Sequence, residues 1–230
     1  MQLFVNVTMG DRFNICFTVS TLLLPPISDF LRVLLQKTGM PAVSTVSPTG
    51  DASIDAVLSG KQWAVGSLTF SFPSDASFYG SGEPTNNFES FTAQQQTAVR
   101  SILQMYSSVA NLTFTEVSES STQHGDLRYA ESDAVSTAWA YYPSTSDAGG
   151  DAWFNNSKNY YDNPIKGNYG YLTMMHETGH ALGLKHPHEV KGSFGAMPLE
   201  HDSLEYTVMS YRSYVGGPTT GYTVGSTSYP

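Results

Sequence analysis

Hydrophobic positions along the chain follow two periods, near 2 and near 3.6 residues, which mark strands and helices respectively. Leu68, Phe70 and Phe72 alternate with Thr69 and Ser71 and stop at Pro73, the pattern of a half-buried strand. Thr92 and Gln95 make a capping box, and behind them Val99, Ile102, Leu103, Tyr106 and Val109 recur at helical spacing. An amphipathic helix of about four or five turns is therefore predicted there. Residues 112–117, 126–130, 137–142 and 151–155 read as short strands, and 169–182 returns to the helical period. Residues 41–51 and 74–89 are loop by composition, with a short helix at 53–58, and the chain after Gly183 reads as loop and turns. The order strand, long helix, strands, helix predicts one mostly parallel sheet with helices packed on it.

Residues 1–40 read differently from the rest. Short apolar runs alternate with a helical stretch at 27–35, and the segment ends at the turn signal Gly39-Met40-Pro41. It is a pro-segment, an N-terminal helix of the domain or an upstream misread start, and the pattern does not choose among these. The second unit is residues 41–230. A length of 230 residues suits one substantial core and is short for two ordinary domains.

Charge narrows the function classes. Charged residues are only 13% of the chain, and 11 Lys+Arg against 20 Asp+Glu give a net charge of -9. No basic stripe is present to displace counterions from a nucleic acid, and the same sign disfavours an anionic membrane surface. No apolar run reaches the ~18 residues that span a bilayer. Phe13–Leu24 lacks the small-residue cleavage site of a classical secretory signal. The single cysteine, Cys16, rules out an intrachain disulfide framework and a cysteine-cluster zinc site, and reads as a small buried apolar residue.

The chemistry lies in His176-Glu177-Thr178-Gly179-His180-Ala181-Leu182-Gly183-Leu184-Lys185-His186-Pro187. Positions four apart share one helix face, so His176 and His180 point two imidazoles at one metal ion. Leu172, Met175, Gly179 and Leu182 fall on another stripe, expected to pack against the sheet. Gly183 sits where a helix needs a residue of positive φ to end sharply, and the turn swings His186 back toward the same metal. Three neutral imidazoles leave an open position for water, the arrangement of catalytic zinc, although nitrogen ligation also suits other transition metals. Glu177 adjoins the first ligand, within reach of a metal-bound water as general base.

The spacing His-Glu-x-x-His-x-x-Gly-x-x-His is the signature of the metzincin metalloproteases, and Pro187 after the third histidine resembles the serralysins. Glu205–Tyr211 is similar to that family's Met-turn, and residues 54–60 and 150–155 match its general pattern. The resemblance spans roughly residues 43–230. It implies an α+β metzincin fold with a twisted, mostly parallel sheet, an antiparallel edge strand, a long helix and an active-site zinc helix. It also implies zinc held by His176, His180 and His186, with Glu177 as base and Met209 as an apolar floor. Tyr211 would be a displaceable further ligand that later donates a hydrogen bond to the developing oxyanion. An edge strand precedes the zinc helix in similar enzymes, which makes Ala138, Trp139, Ala140 and Tyr141 the candidate substrate-binding strand; a strand buried on both faces is the alternative.

The function expected from the resemblance is zinc-dependent hydrolysis of peptide bonds in extracellular proteins. The alternatives are a catalytically silent binding module of the same fold and an inactive fragment. Protein or peptide substrates, a monomer, and secretion without a classical signal peptide are expected, with neither nucleic acid nor membrane as partner. In serralysins a calcium-binding Gly/Asp repeat domain follows, and its Gly-Gly-x-Gly-x-Asp pattern does not occur in this sequence. Calcium is thus expected only through such a downstream domain, and the sequence reads as a catalytic domain cut from a longer chain. His124, His188 and His201 show no spacing for a second metal site; His188 is expected in solvent, and Asp202 is expected to brace the Met-turn by hydrogen bonding.

Overall fold

A computed structural model of the chain describes residues 39–220, 222–224 and 227–229. The helical stretch expected at 27–35 and Cys16 lie outside the described residues. The first elements are β1 (Val43–Thr45), α1 (Ala52–Asp55), β2 (Lys61–Trp63), β3 (Ser67–Ser71), a 3₁₀ turn at Ala76–Phe78 and β4 (Glu89–Ser90). They are followed by α2 (Ala93–Val109), β5 (Thr113–Glu116), β6 (Leu127–Glu131), β7 (Ala138–Ala140), β8 (Ala152–Phe154) and α3 (Tyr169–Leu182). The last two strands are β9 (Tyr222–Val224) and β10 (Thr227–Tyr229).

The main sheet runs β5-β3-β6-β8-β7, with β4 paired antiparallel to the end of β6. β3 is parallel to β5 and to β6, β6 is parallel to β8, and only β7 at the margin runs antiparallel to its neighbour β8. Joining the parallel neighbours β3 and β5 requires a crossover, and α2 supplies it. The expected α+β architecture, a mostly parallel sheet with an antiparallel edge strand, is the one observed.

Strand periodicity divides the buried residues between the two sheet faces. Tyr129, Ala152 and Phe154 join Leu68, Phe70 and Leu127 in the large core under α2 and α3. Ala130 and Trp153, one residue out of step, pack with Tyr79 and Val135 on the opposite face. β7 obeys the same rule, since Ala138 and Ala140 pack toward the large core and Trp139 toward Trp153.

The capping box forms: Gln95 N–H donates to Thr92 Oγ1 and Thr92 N–H donates to Gln95 Oε1. Val99, Ile102 and Leu103 are buried, each stabilising by roughly 1.5–3 kcal/mol relative to exposure. Val109, expected on the same stripe, is 85% exposed because it closes the helix, and Ala98 takes its place in the core.

Three expectations need correction. The loop expected at 41–51 contributes β1, which pairs antiparallel with β2. The region after Gly183 contains the antiparallel β9–β10 pair. Strands of three residues carry too few positions to show a period, so neither pair is visible as a pattern. On α3 the expected stripe is mixed: Gly179 is buried, Met175 and Leu182 are half-buried against the large core and Leu172 is half-buried, whereas Met174, Thr178 and Ala181 are fully buried. Thr178 Oγ1 lies 3.2 Å from Tyr129 Oη on the central strand, and the Trp63 indole donates to Ala181 O at 2.9 Å. The Met175 carbonyl accepts from Tyr106 Oη on α2 at 3.0 Å.

Candidate metal centre

Asn168 caps α3 by accepting from Tyr171 N–H at 3.0 Å. The helix ends at Gly183, whose φ of +109° favours glycine. A β-carbon there would also lie 2.3 Å from Lys61 O, so glycine is required on two counts. Leu184 N–H then donates to Gly179 O at 2.9 Å, closing the helix end. The chain just past α1 holds the turn that follows. Ser59 N–H donates to Gly183 O at 3.0 Å, and Lys185 N–H donates to Val57 O at 2.8 Å. This is what the stretch 54–60 contributes: it braces the turn that returns His186 to the helix face.

His176, His180 and His186 converge. His186 Nε2 lies 3.0 Å from His180 Nε2 and 3.1 Å from His176 Nε2. His176 and His180 cannot donate in these contacts, because their other ring nitrogens carry the proton. His176 Nδ1 donates to Val208 O at 2.8 Å and His180 Nδ1 to Leu184 O at 2.7 Å. Both carbonyls are acceptors only, which fixes the proton on Nδ1. His186 Nδ1 lies 2.8 Å from the Glu189 carboxylate. Burial opposes ionisation of Glu189, but the His186 hydrogen bond and neighbouring histidines hold its carboxyl below the ordinary value. As a neutral imidazole, His186 turns its Nε2 lone pair on those of His180 and His176 at 3.0 and 3.1 Å, an arrangement that repels unless a cation sits among them. The residues fit a metal of the nitrogen-ligated kind.

Electrostatics favour the ligating form. Burial, reinforced by His180, pushes His176 well below the usual histidine range. Burial and then His186 lower His180 to about 4. Both imidazoles are therefore neutral at neutral pH, as metal ligation requires. Burial raises the Glu177 carboxyl to about 8, and its Oε2 is buried without a hydrogen-bond partner. That orphaned oxygen is an acceptor that calls for a donor such as water.

Met209 is fully buried, with Sδ against Gly179. The Tyr211 ring centroid lies 4.3 Å from that of His186 and 5.7 Å from that of His176, and burial raises the phenol to about 12. Asp202, 2% exposed, grips both neighbours of Tyr211. Its Oδ1 accepts from Ser210 Oγ at 2.6 Å and its Oδ2 from Arg212 Nε at 3.0 Å.

The candidate strand Ala138–Ala140 is the sheet margin, with β8 as its one strand partner, and Tyr141 follows it. Next comes Tyr142, whose ring stands edge-on to His180 at 5.6 Å and carries Lys191 Nζ 3.8 Å from its centroid. No pattern in the sequence singles out this pair.

His188 is not in solvent as expected. It is half-buried, 5.5 Å from the His186 ring centroid, and its Nδ1 is buried without a hydrogen-bond partner. Ligand atoms of His186, His188 and Glu189 also come within 4.8 Å of one another, a grouping that the sequence spacing does not suggest for His188. His186 is common to both groups: its Nε2 serves the triad and its Nδ1 serves Glu189. His124 pairs with Glu119 at 2.6 Å, and His201 Nδ1 meets Ser53 Oγ at 3.0 Å.

The matrixin (Peptidase_M10) family model matches residues 83–197, half of the chain. Serralysin A of Dickeya chrysanthemi is 33% identical over 163 residues, covering 67% of this chain and 34% of that protein. Metallopeptidase AprA of Pseudomonas marginalis is 36% identical over 138 residues, 56% of this chain and 29% of its own length. The serralysin of Proteus mirabilis is 33% identical over 165 residues, 63% of this chain and 33% of its own. The chain therefore spans about a third of the length of the curated relatives it matches. With the fold, the histidine triad and these matches together, the chain belongs to the matrixin family of peptidases and within it is a serralysin-like metzincin.

Proposed function

We propose that this chain is the catalytic part of a zinc-dependent endopeptidase that hydrolyses peptide bonds of extracellular proteins. The observation that carries the reading is the convergence of His176, His180 and His186, with His186 Nε2 at 3.0 and 3.1 Å from the other two Nε2 atoms, on a helix that also carries Glu177 with a buried carboxyl oxygen. Zinc held by His176, His180 and His186 would polarise a carbonyl and lower the pKa of its water toward neutrality.

The chain's own residues supply the rest. Glu177 takes the proton of the attacking water and returns it to the leaving amine, the role of a general base within reach of both. Tyr211, protonated at neutral pH, donates a hydrogen bond to the developing oxyanion. Met209 closes the floor beneath the histidines. On β7 the main-chain groups of Ala138, Trp139 and Ala140 not used by β8 pair with an extended substrate, whereas Tyr141 N–H donates to Asp151 O and its carbonyl accepts from Gly150 N–H, so the margin ends before it.

Cleavage of casein that disappears with a chelator and returns with zinc is the expected result. Glu177→Gln should keep zinc and lose about 10²–10⁴-fold in turnover. Near-normal turnover by that zinc-loaded variant would overturn the reading.

A further inference from the structure

Lys185 stands one residue before the third histidine and is fully buried. Every acceptor of its ammonium among the described residues is a main-chain carbonyl. Nζ donates to Glu189 O at 2.6 Å, to Gly195 O at 3.2 Å, to His186 O at 3.3 Å and, at close range, to Ala56 O. An ammonium has three N–H donors, so four oxygens surround it with one bond shared. Burying an unpaired charge is expensive, and carbonyl dipoles are what replaces its water here. The arrangement is the one by which carbonyl oxygens enclose a small cation.

The carbonyls come from places that matter to the triad. His186 is the third ligand, Glu189 holds the Nδ1 proton of that ligand, Ala56 caps α1, and Gly195 lies beyond the turn. One side chain therefore ties the ligand, its carboxylate partner and the scaffold below them to a single point. Backbone bonds from Val57 and Ser59 fix only the approach to this turn, at Gly183 and Lys185. From His186 to Glu189 the tie to α1 runs through the ammonium.

We infer that Lys185 is a positioning residue for the metal site, an internal cation that organises the His186–Glu189 turn and thereby sets how tightly the triad holds its metal. The inference rests on the proposed zinc reading of the triad. Outer-shell groups that orient a ligand typically change metal affinity by about 10–100-fold when removed.

The test is zinc affinity of the folded protein by competition with a chromophoric chelator, with no activity measurement needed. Lys185→Met keeps the length and removes donors and charge; Lys185→Gln keeps two N–H donors without the charge. Ile102→Val serves as a control that lowers stability in the core away from the site. Expected are a loss of about 10–100-fold in zinc affinity for Lys185→Met, a smaller loss for Lys185→Gln, and none for Ile102→Val. A folded Lys185→Met protein, judged by circular dichroism, that binds zinc as wild type does would overturn the inference. So would failure of both Lys185 variants to fold, since Lys185 would then support the fold as a whole. Absence of zinc binding by the wild type would instead bring down the zinc reading itself.

Discussion

Met209 packs its sulfur against Gly179 so closely that a β-carbon on the glycine would lie 2.5 Å from Sδ. The same β-carbon would stand 3.0 Å from Tyr106 Oη, so a glycine in the third turn of α3 lets both the Met-turn and α2 approach the helix. Helix propensity alone would favour alanine by about 1 kcal/mol. Overpacking of a buried sulfur costs about 1–3 kcal/mol, so the steric effect wins. Gly179→Ala should be destabilised by up to about 2 kcal/mol in denaturant unfolding, and Gly179→Ala/Met209→Ala should be less destabilised than the sum of the single variants. Strict additivity would show that the two residues do not press on each other.

Tyr211 is the aromatic ring nearest the third ligand from outside the histidine set, and burial keeps its phenol protonated. Tyr211→Phe should retain zinc, keep KM close to wild type and lose about 10–100-fold in kcat. A loss confined to KM would assign the tyrosine to substrate binding and not to the oxyanion.

Asp202 acts on that tyrosine through its neighbours, since Ser210 and Arg212 both donate to its carboxylate. Asp202→Asn keeps the shape but leaves the Arg212 guanidinium without its charged partner, at a cost of about 1–3 kcal/mol. The same variant should lose kcat in the direction of Tyr211→Phe while its zinc content stays unchanged. A fall in stability with kcat intact would confine Asp202 to the loop.

Sequence and structure agree where a local rule is strong and diverge where contacts are long-range. Thr92 and Gln95 were legible because a capping box needs only four residues, and Gly183 because a helix end there demands positive φ. The histidine triad was legible through its helical spacing. The inner face of α3 was misassigned because the helix packs on several sides, leaving Met174, Thr178 and Ala181 toward the core while Gly179 meets Met209. The burial of His188 and the roles of Lys185 and Lys191 were not legible, for a common reason. Each residue acquires its neighbours only when the 184–195 turn folds back against α1 and Tyr142, and no periodicity encodes that path.

A last prediction concerns pH and lies away from the histidines. Glu131 ends β6, is 3% exposed, and has a buried Oε1 without a hydrogen-bond partner. Burial pushes its carboxyl up to about 7; the Gln95 amide opposes the rise, and Asp162 and Glu89 add to it. Glu89 stands directly across the β4–β6 pair. The folded protein therefore holds this proton more tightly than the unfolded chain does. Its contribution to stability is full below the ordinary glutamate value and is lost as pH rises through about 7. Glu131→Gln keeps the neutral shape and removes the titration. Relative to wild type it should be nearly unchanged near pH ~4 and more stable by roughly 2–3 kcal/mol near pH ~8, read from denaturant midpoints at both values. A difference between variant and wild type that is the same at both pH values would mean that the Glu131 carboxyl ionises freely in the fold.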